Sequence, residues 1–77
     1  MKKAIVTGAN GFIGSWLIKE LVKNDVEVIA VVRNEKSNIE SIANIEGLRI
    51  VYCDLNEIQT LPEKIADRDI DVFYHLA

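Results

Sequence analysis

Glycines at every third position, Gly8, Gly11 and Gly14, stand between an apolar run and an amphipathic stretch, and nothing else constrains this chain as much. The run Lys3 to Thr7, with Ala4, Ile5 and Val6 at its centre, predicts a strand that stops abruptly at Gly8. From Phe12 to Asn24, apolar side chains fall at Ile13, Trp16, Leu17 and Leu21, and again at Ile18 and Val22. That three-to-four spacing predicts a helix, with Lys19, Glu20 and Lys23 on its polar face. The first N–H groups of a helix have no partner within it and lie at the positive end of its dipole, so such a turn attracts a pyrophosphate. In this arrangement Gly8 turns the chain off the strand, Gly11 lets phosphate approach the backbone, and Gly14 lets the helix pack closely. A merely flexible loop does not account for the placement of all three between a strand and a helix.

The rest of the chain repeats the alternation. Asn24-Asp25 reads as a turn, and Val26 to Val32 is interrupted only by Glu27, as in a strand buried on both faces. Ile39, Ile42 and Ile45 recur between Ser37 and Glu46, predicting a second helix that Gly47 stops. Leu48 to Cys53 is a third strand, ending in Asp54. Thr60 and Glu63 have capping-box spacing, with Pro62 in the first turn, so a short helix is expected to about Asp67. Asp71 to Leu76, around Val72-Phe73-Tyr74, is a fourth apolar run. The pattern βαβαβαβ predicts an α/β, Rossmann-like parallel sheet in strand order 3-2-1-4, with helices on both faces. On this reading residues 1–77 form the N-terminal part of a dinucleotide-binding domain, an incomplete fold whose fourth strand is a bare edge prone to self-association.

Composition narrows the function classes. A net charge of −3 with scattered basic residues offers no nucleic-acid surface. The apolar run after Lys2 and Lys3 is broken by Thr7, Gly8, Asn10 and Gly11, too early for a signal segment or a membrane span. The single cysteine, Cys53, allows no internal disulfide, in keeping with a cytoplasmic protein. With one Cys and one His there is no metal-ligand cluster. Asp67, Asp69 and Asp71 read as a solvated turn, and Cys53 as a small buried hydrophobe.

Gly8 and Gly11 are separated by two residues, unlike the G-x-G-x-x-G fingerprint. The stretch Thr7-Gly8-Ala9-Asn10-Gly11-Phe12-Ile13-Gly14 resembles instead the T-G-x-x-G-x-x-G loop of the short-chain dehydrogenases, in particular the extended branch of epimerases, dehydratases and related reductases. Cys53-Asp54-Leu55 is similar to that family's strand-end Asp-Leu, which holds the adenine ring. Asp71-Val72-Phe73-Tyr74-His75-Leu76-Ala77 is similar to its fourth-strand D-x-V-x-H-x-A segment, whose last residues, here Leu76 and Ala77, lie beside the cofactor.

The resemblance implies a dinucleotide cofactor. Asn10, Phe12 and Ile13 would offer backbone groups to its pyrophosphate, the Asn10 side chain bracing the loop, while the side chains of Phe12 and Ile13 are expected in the core. Asp54 would accept from the adenine amino group, unless it is only a turn cap. Arg33 lies about 20 residues past the glycines, where an acidic residue would bind the ribose of NAD. A guanidinium there suits a 2′-phosphate, with Lys36 close enough to assist, so NADP is favoured over NAD. Alternatively Asn34 or Glu35 reaches the ribose, or Arg33 stacks on adenine. His75 is expected as a satisfied core histidine rather than a general base, Tyr74 as packing against a helix, and Trp16 as packing between helix and sheet.

The family's catalytic Tyr-x-x-x-Lys pair is not in these residues: Asn56 stands four positions after Tyr52, and nothing stands four after Tyr74. The expectation is therefore the cofactor-binding portion of a longer NAD(P)-dependent oxidoreductase, with the substrate domain missing, inactive alone and a homo-oligomer in its full form. Its substrate would be a nucleotide sugar or a small carbonyl or hydroxyl compound. The alternative is a non-catalytic NADP(H)-sensing protein of the same family.

Overall fold

The computed structural model describes residues 2–65 and 69–76. Four strands, β1 (Lys3–Thr7), β2 (Glu27–Val32), β3 (Arg49–Tyr52) and β4 (Val72–His75), form one sheet in the order β3-β2-β1-β4, every pair parallel. The strand order is the one the alternating pattern predicts, and β2 is buried on both faces from Val28 to Val32. Register is fixed by the two-residue side-chain period. It pairs Ile5 with Ile29 and Phe73, and Val6 with Ala30 and Tyr74.

Each sheet face has its own core. Val6, Val28, Ala30 and Val32 pack under helix α1 (Phe12–Lys23) through Ile18, with Leu17, Leu21, Val22 and Tyr74 around them. Ile5, Ile29, Val31 and Val51 face the other way, under Leu61 and Ile65 of helix α2 (Leu61–Ile65). A 3₁₀ segment, Leu55–Thr60, leads into α2, its helical geometry broken at Glu57. The Thr60 hydroxyl donates back to the Glu57 carbonyl at 2.7 Å, so the expected helix is shorter and has a tight turn in front of it. Arg49 donates to the Ile65 carbonyl (2.8 Å) and Lys64 to the Tyr52 carbonyl (3.1 Å), fastening α2 to the β3 edge. The part of the expected helix at Asp67 lies outside the described residues.

The second expected helix does not form. Residues 37–46 are a succession of turns, and the reason is in their side chains. Asn34 Oδ1 accepts from the Lys36 N–H and Asn38 Oδ1 from the Glu40 N–H, each at 2.9 Å. Such bonds offer the backbone an alternative to the helical ladder. The isoleucine period of three fits what results: Ile42 N–H bonds to the Ile39 carbonyl, and Ile45 N–H to that of Ile42. The Ala43 N–H also reaches the Ile39 carbonyl, at 2.8 Å, so the segment makes one helical turn that is not continued and then a three-residue turn, without a sustained 3.6-residue ladder. Ile42 is nonetheless buried, and Ile39 and Ile45 pack on the α1-side core, so the crossover from β2 to β3 is anchored without being helical.

Three further expectations are corrected. Phe12, Ile13 and Trp16 are not core side chains: they are 92%, 65% and 61% exposed. On α1 the buried positions are Gly14, Ser15 and Ile18, which turns Phe12 and Trp16 outward in one stripe with Lys19 and Lys23. His75 is exposed rather than in the core, because β4 is an edge strand, although Nδ1 lies 3.0 Å from the Thr7 hydroxyl.

Candidate functional site

The glycine loop crosses the ends of the strands, as a parallel sheet with this topology requires of a ligand site. Gly8 has φ 64°, the left-handed region in which a side chain is costly, and this makes the sharp exit from β1. Its carbonyl accepts from the Gly11 N–H at 3.0 Å, and the Ala9 N–H reaches Val31 on β2 at 3.3 Å. A Cβ on Gly14 would collide with the Gly8 carbonyl and come within 3.0 Å of Ala9 Cα. The third glycine thus lets α1 approach the loop backbone itself, a tighter requirement than helix against sheet.

Helix α1 begins at Gly11 with no side-chain cap and no acidic residue in its first turn. Its leading N–H groups therefore face outward with the positive end of the dipole unopposed, as binding of an anion demands. Gly8, Gly11, Phe12, Ile13, Gly14 and Leu76 line a shallow hollow at this point. Leu76 is held there by Thr7: the Leu76 N–H donates to the buried Thr7 hydroxyl at 3.1 Å. Ala77 lies outside the described residues.

A deeper hollow of about 400 Å³ opens alongside, over the ends of β1, β2 and β3. Thr7, Gly8 and Asn10 form its inner wall, Val31 and Cys53 its apolar floor, and Arg33, Asp54, Leu55 and Asn56 its outer rim. Cys53 is buried, as expected, and its thiol lies within donating distance of the Asp54 and Glu57 carbonyls of the following turn. Asp54 does two things. One oxygen accepts from the Asn56 N–H at 3.0 Å, capping the 3₁₀ segment, and the other meets Arg33 Nε at 3.4 Å. The Asn56 N–H, followed by Arg33, holds the Asp54 carboxyl below its ordinary range despite some opposing burial, so it remains an acceptor at neutral pH.

Arg33 is 73% exposed, so its pairing with Asp54 is a weak, easily exchanged contact. It also borders a second open hollow with Asn34, Glu35, Lys36, Tyr52, Asp54, Glu57 and Lys64, so Glu35 stands on the same surface as the cations. Arg33 and Lys36 thus share one surface, as expected, and Lys64 joins them from α2. Sequence reasoning missed Lys64, because α2 is distant in the chain and is brought to this surface by its packing through Leu61 and Ile65 and by bonds at Ile65 and Tyr52. Thr7 stood in the glycine motif, but its hydroxyl's contacts with His75 and Leu76 were not foreseen, since they depend on β4 pairing beside β1. Two residues of the turn segment reach the glycine loop: Asn10 Nδ2 donates to the Asn38 carbonyl at 2.9 Å, and the Ser41 hydroxyl donates to the Asn10 carbonyl at 3.2 Å.

The donor set suits a dinucleotide: an uncapped helix start, a loop in which a Cβ has no room, an apolar floor with a carboxylate acceptor on its rim, and an exchangeable cation beyond. Known proteins agree. Residues 4–77 match the model of the NAD dependent epimerase/dehydratase family. The sterol-4-alpha-carboxylate 3-dehydrogenase (decarboxylating) of Dictyostelium discoideum is 37% identical over 70 residues, covering 91% of this chain and 21% of the relative. The CDP-abequose synthase of Salmonella typhimurium is 35% identical over 75 residues, 95% of this chain and 23% of its own length. This chain therefore spans about a fifth to a quarter of those relatives. Among solved structures, the Bordetella bronchiseptica enzyme WbmH in complex with NAD+ superposes with a TM-score of 0.82 at 25% identity, covering all of this chain and 26% of that one. Yeast methylglyoxal/isovaleraldehyde reductase Gre2, complexed with NADPH, gives 0.77 at 27% identity, over 97% of this chain and 27% of that one. By its glycine loop, its strand order and these matches, the chain belongs to the NAD-dependent epimerase/dehydratase family.

Proposed function

We propose that residues 1–77 are the cofactor-holding part of a longer NAD(P)-dependent epimerase, dehydratase or reductase, acting on a nucleotide sugar or a small carbonyl or hydroxyl compound. The observation that carries the reading is the uncapped start of α1 behind a loop in which a side chain at Gly14 has no room. Gly8, Gly11 and Gly14 shape the loop, the N–H groups of Phe12 and Ile13 meet the pyrophosphate, and Asn10 holds the loop in place. Leu55 packs on adenine over the floor of Val31 and Cys53, and Asp54 accepts from its amino group. Leu76 would lie toward the nicotinamide end. When bound, the nicotinamide supplies hydride transfer; the proton transfers of that chemistry need an acid–base residue beyond these 77, so this piece alone has no turnover.

NADP is the favoured cofactor because Arg33, exposed and only weakly paired, sits at the end of β2 with Lys36 on the same surface. A 2′-phosphate would exchange the single 3.4 Å contact with Asp54 for charge-assisted bonds to guanidinium. The relatives support either cofactor class, since one solved neighbour holds NAD+ and another NADPH. Dissociation constants for NADP+ and NAD+, measured by calorimetry on the natural full-length protein, test the assignment. Arg33→Ala is expected to weaken NADP+ by about 10- to 100-fold, the value of a hydrogen bond to a charged group, with little change for NAD+. Tenfold tighter binding of NAD+ by the unaltered protein contradicts the preference.

A further inference from the structure

We propose that Ser41 is a positioning residue for the glycine loop, and that the turn-built crossover from Asn34 to Gly47 serves as a brace for that loop. The inference rests on the dinucleotide reading of the site.

The loop between Gly8 and Gly14 has few internal supports: the bond from the Gly11 N–H to the Gly8 carbonyl and the Ala9 contact to β2. Asn10, half-buried in the loop, is held instead from outside, by two bonds running in opposite senses. Asn10 Nδ2 donates to the Asn38 carbonyl at 2.9 Å, and the Ser41 hydroxyl donates to the Asn10 carbonyl at 3.2 Å. Both the side chain and the backbone of Asn10 are therefore tied to the same short stretch. Two polar anchors 28 and 31 residues away in sequence hold Asn10, one by its side chain and one by its carbonyl.

That stretch is itself firmly seated. Ile42, the residue after Ser41, is 1% exposed in the core beneath α1, and Ile39 and Ile45 pack on the same cluster. The turns at Asn34 and Asn38 are closed by their own side chains. The brace thus connects a buried isoleucine to the Asn10 carbonyl through one side chain, Ser41. This also gives the absence of a helix here a purpose. In turns, Asn38 can present its carbonyl to Asn10, whereas in a helix that carbonyl would be committed to an N–H four residues on.

The Asn10 carbonyl lies on the peptide leading to Gly11, the N-cap of α1. Fixing that peptide fixes the direction of the N–H groups that follow, which are those offered to the pyrophosphate. Preorganising donors before the ligand arrives lowers the ordering cost of binding. The hydroxyl acts at the phosphate part of the ligand, common to NAD+ and NADP+, and not at the 2′ position.

Binding of NAD+ and NADP+ by the natural full-length protein, its Ser41→Ala variant and its Ser41→Thr variant tests this, with thermal melts alongside. Ser41→Ala is expected to weaken both dinucleotides by about fivefold, the equivalent of one neutral hydrogen bond, by the same factor for each, with the melting temperature lowered by no more than the few degrees that one such bond is worth. Ser41→Thr, which keeps the hydroxyl, is expected to restore binding. Unchanged affinity in Ser41→Ala, equal weakening in both variants, or a fall in melting temperature larger than the loss of one hydrogen bond allows overturns the role. If the unaltered protein binds neither dinucleotide, the reading of the site itself fails, and the brace fails with it.

Discussion

Gly14 is the residue on which the phosphate site turns most sharply. A methyl group there meets the Gly8 carbonyl and Ala9 Cα, both backbone, so no side-chain rotation relieves the overlap. The loop or α1 must move, and the N–H groups move with it. Gly14→Ala is expected to reduce dinucleotide affinity at least tenfold, with an overpacking cost of about 1–3 kcal/mol in stability. Calorimetric titration and a denaturant melt of the variant check both, and wild-type affinity in Gly14→Ala contradicts the placement of the loop. Arg33 and Asp54 act together at the other end of the site. The Asn56 N–H and the guanidinium favour the charged carboxylate, so what Asp54 adds to stability is present above the ordinary carboxylate range and lost only as pH falls through its lower folded value. Neither Asn56 nor Lys64 is legible from the sequence as part of this end, because each reaches it through a turn whose path depends on packing.

At the level of elements, legibility followed the strength of the local pattern. Strands β1 and β2 and helix α1 stand where their apolar runs place them, since burial on one or both faces and the helical period act over short distances. The crossover at 37–46 was misread because its three isoleucines suit a helix as well as successive turns. The balance was tipped by Asn34 and Asn38, whose side chains cap their own turns. Trp16 is apolar without being buried, because it lies in one stripe with Lys19 and Lys23 on the outward side of α1. Among the described residues strand β4 pairs with β1 alone, and Val72 and Phe73 are 38% and 47% exposed on it. An apolar strand with one side unpaired is a template for further pairing. The 77-residue chain by itself is accordingly expected to self-associate in sedimentation experiments at micromolar concentration; a monomer with a cooperative melt contradicts this.

On the scale of the whole molecule, topology brings three separate stretches of sequence to one end of the sheet. Parallel strands all point their ends the same way, so the glycine loop after β1, Arg33 after β2 and Asp54 after β3 converge without any contact between them being specified locally. This convergence was foreseeable from the alternating pattern and the right-handed rule for crossovers. The bracing of one stretch by another, as Ser41 braces Asn10, was not, because it depends on the detailed path of a crossover. The central claim is that a dinucleotide lies across these three ends. Hydrogen–deuterium exchange of the natural full-length protein with and without NADP+ tests it most directly. Slower exchange is expected in the peptides covering residues 8–15, 33–36 and 53–56, with none at the opposite end of the sheet around residues 24–27. Protection confined to other regions, or absent from residues 8–15 at saturating cofactor, would contradict it.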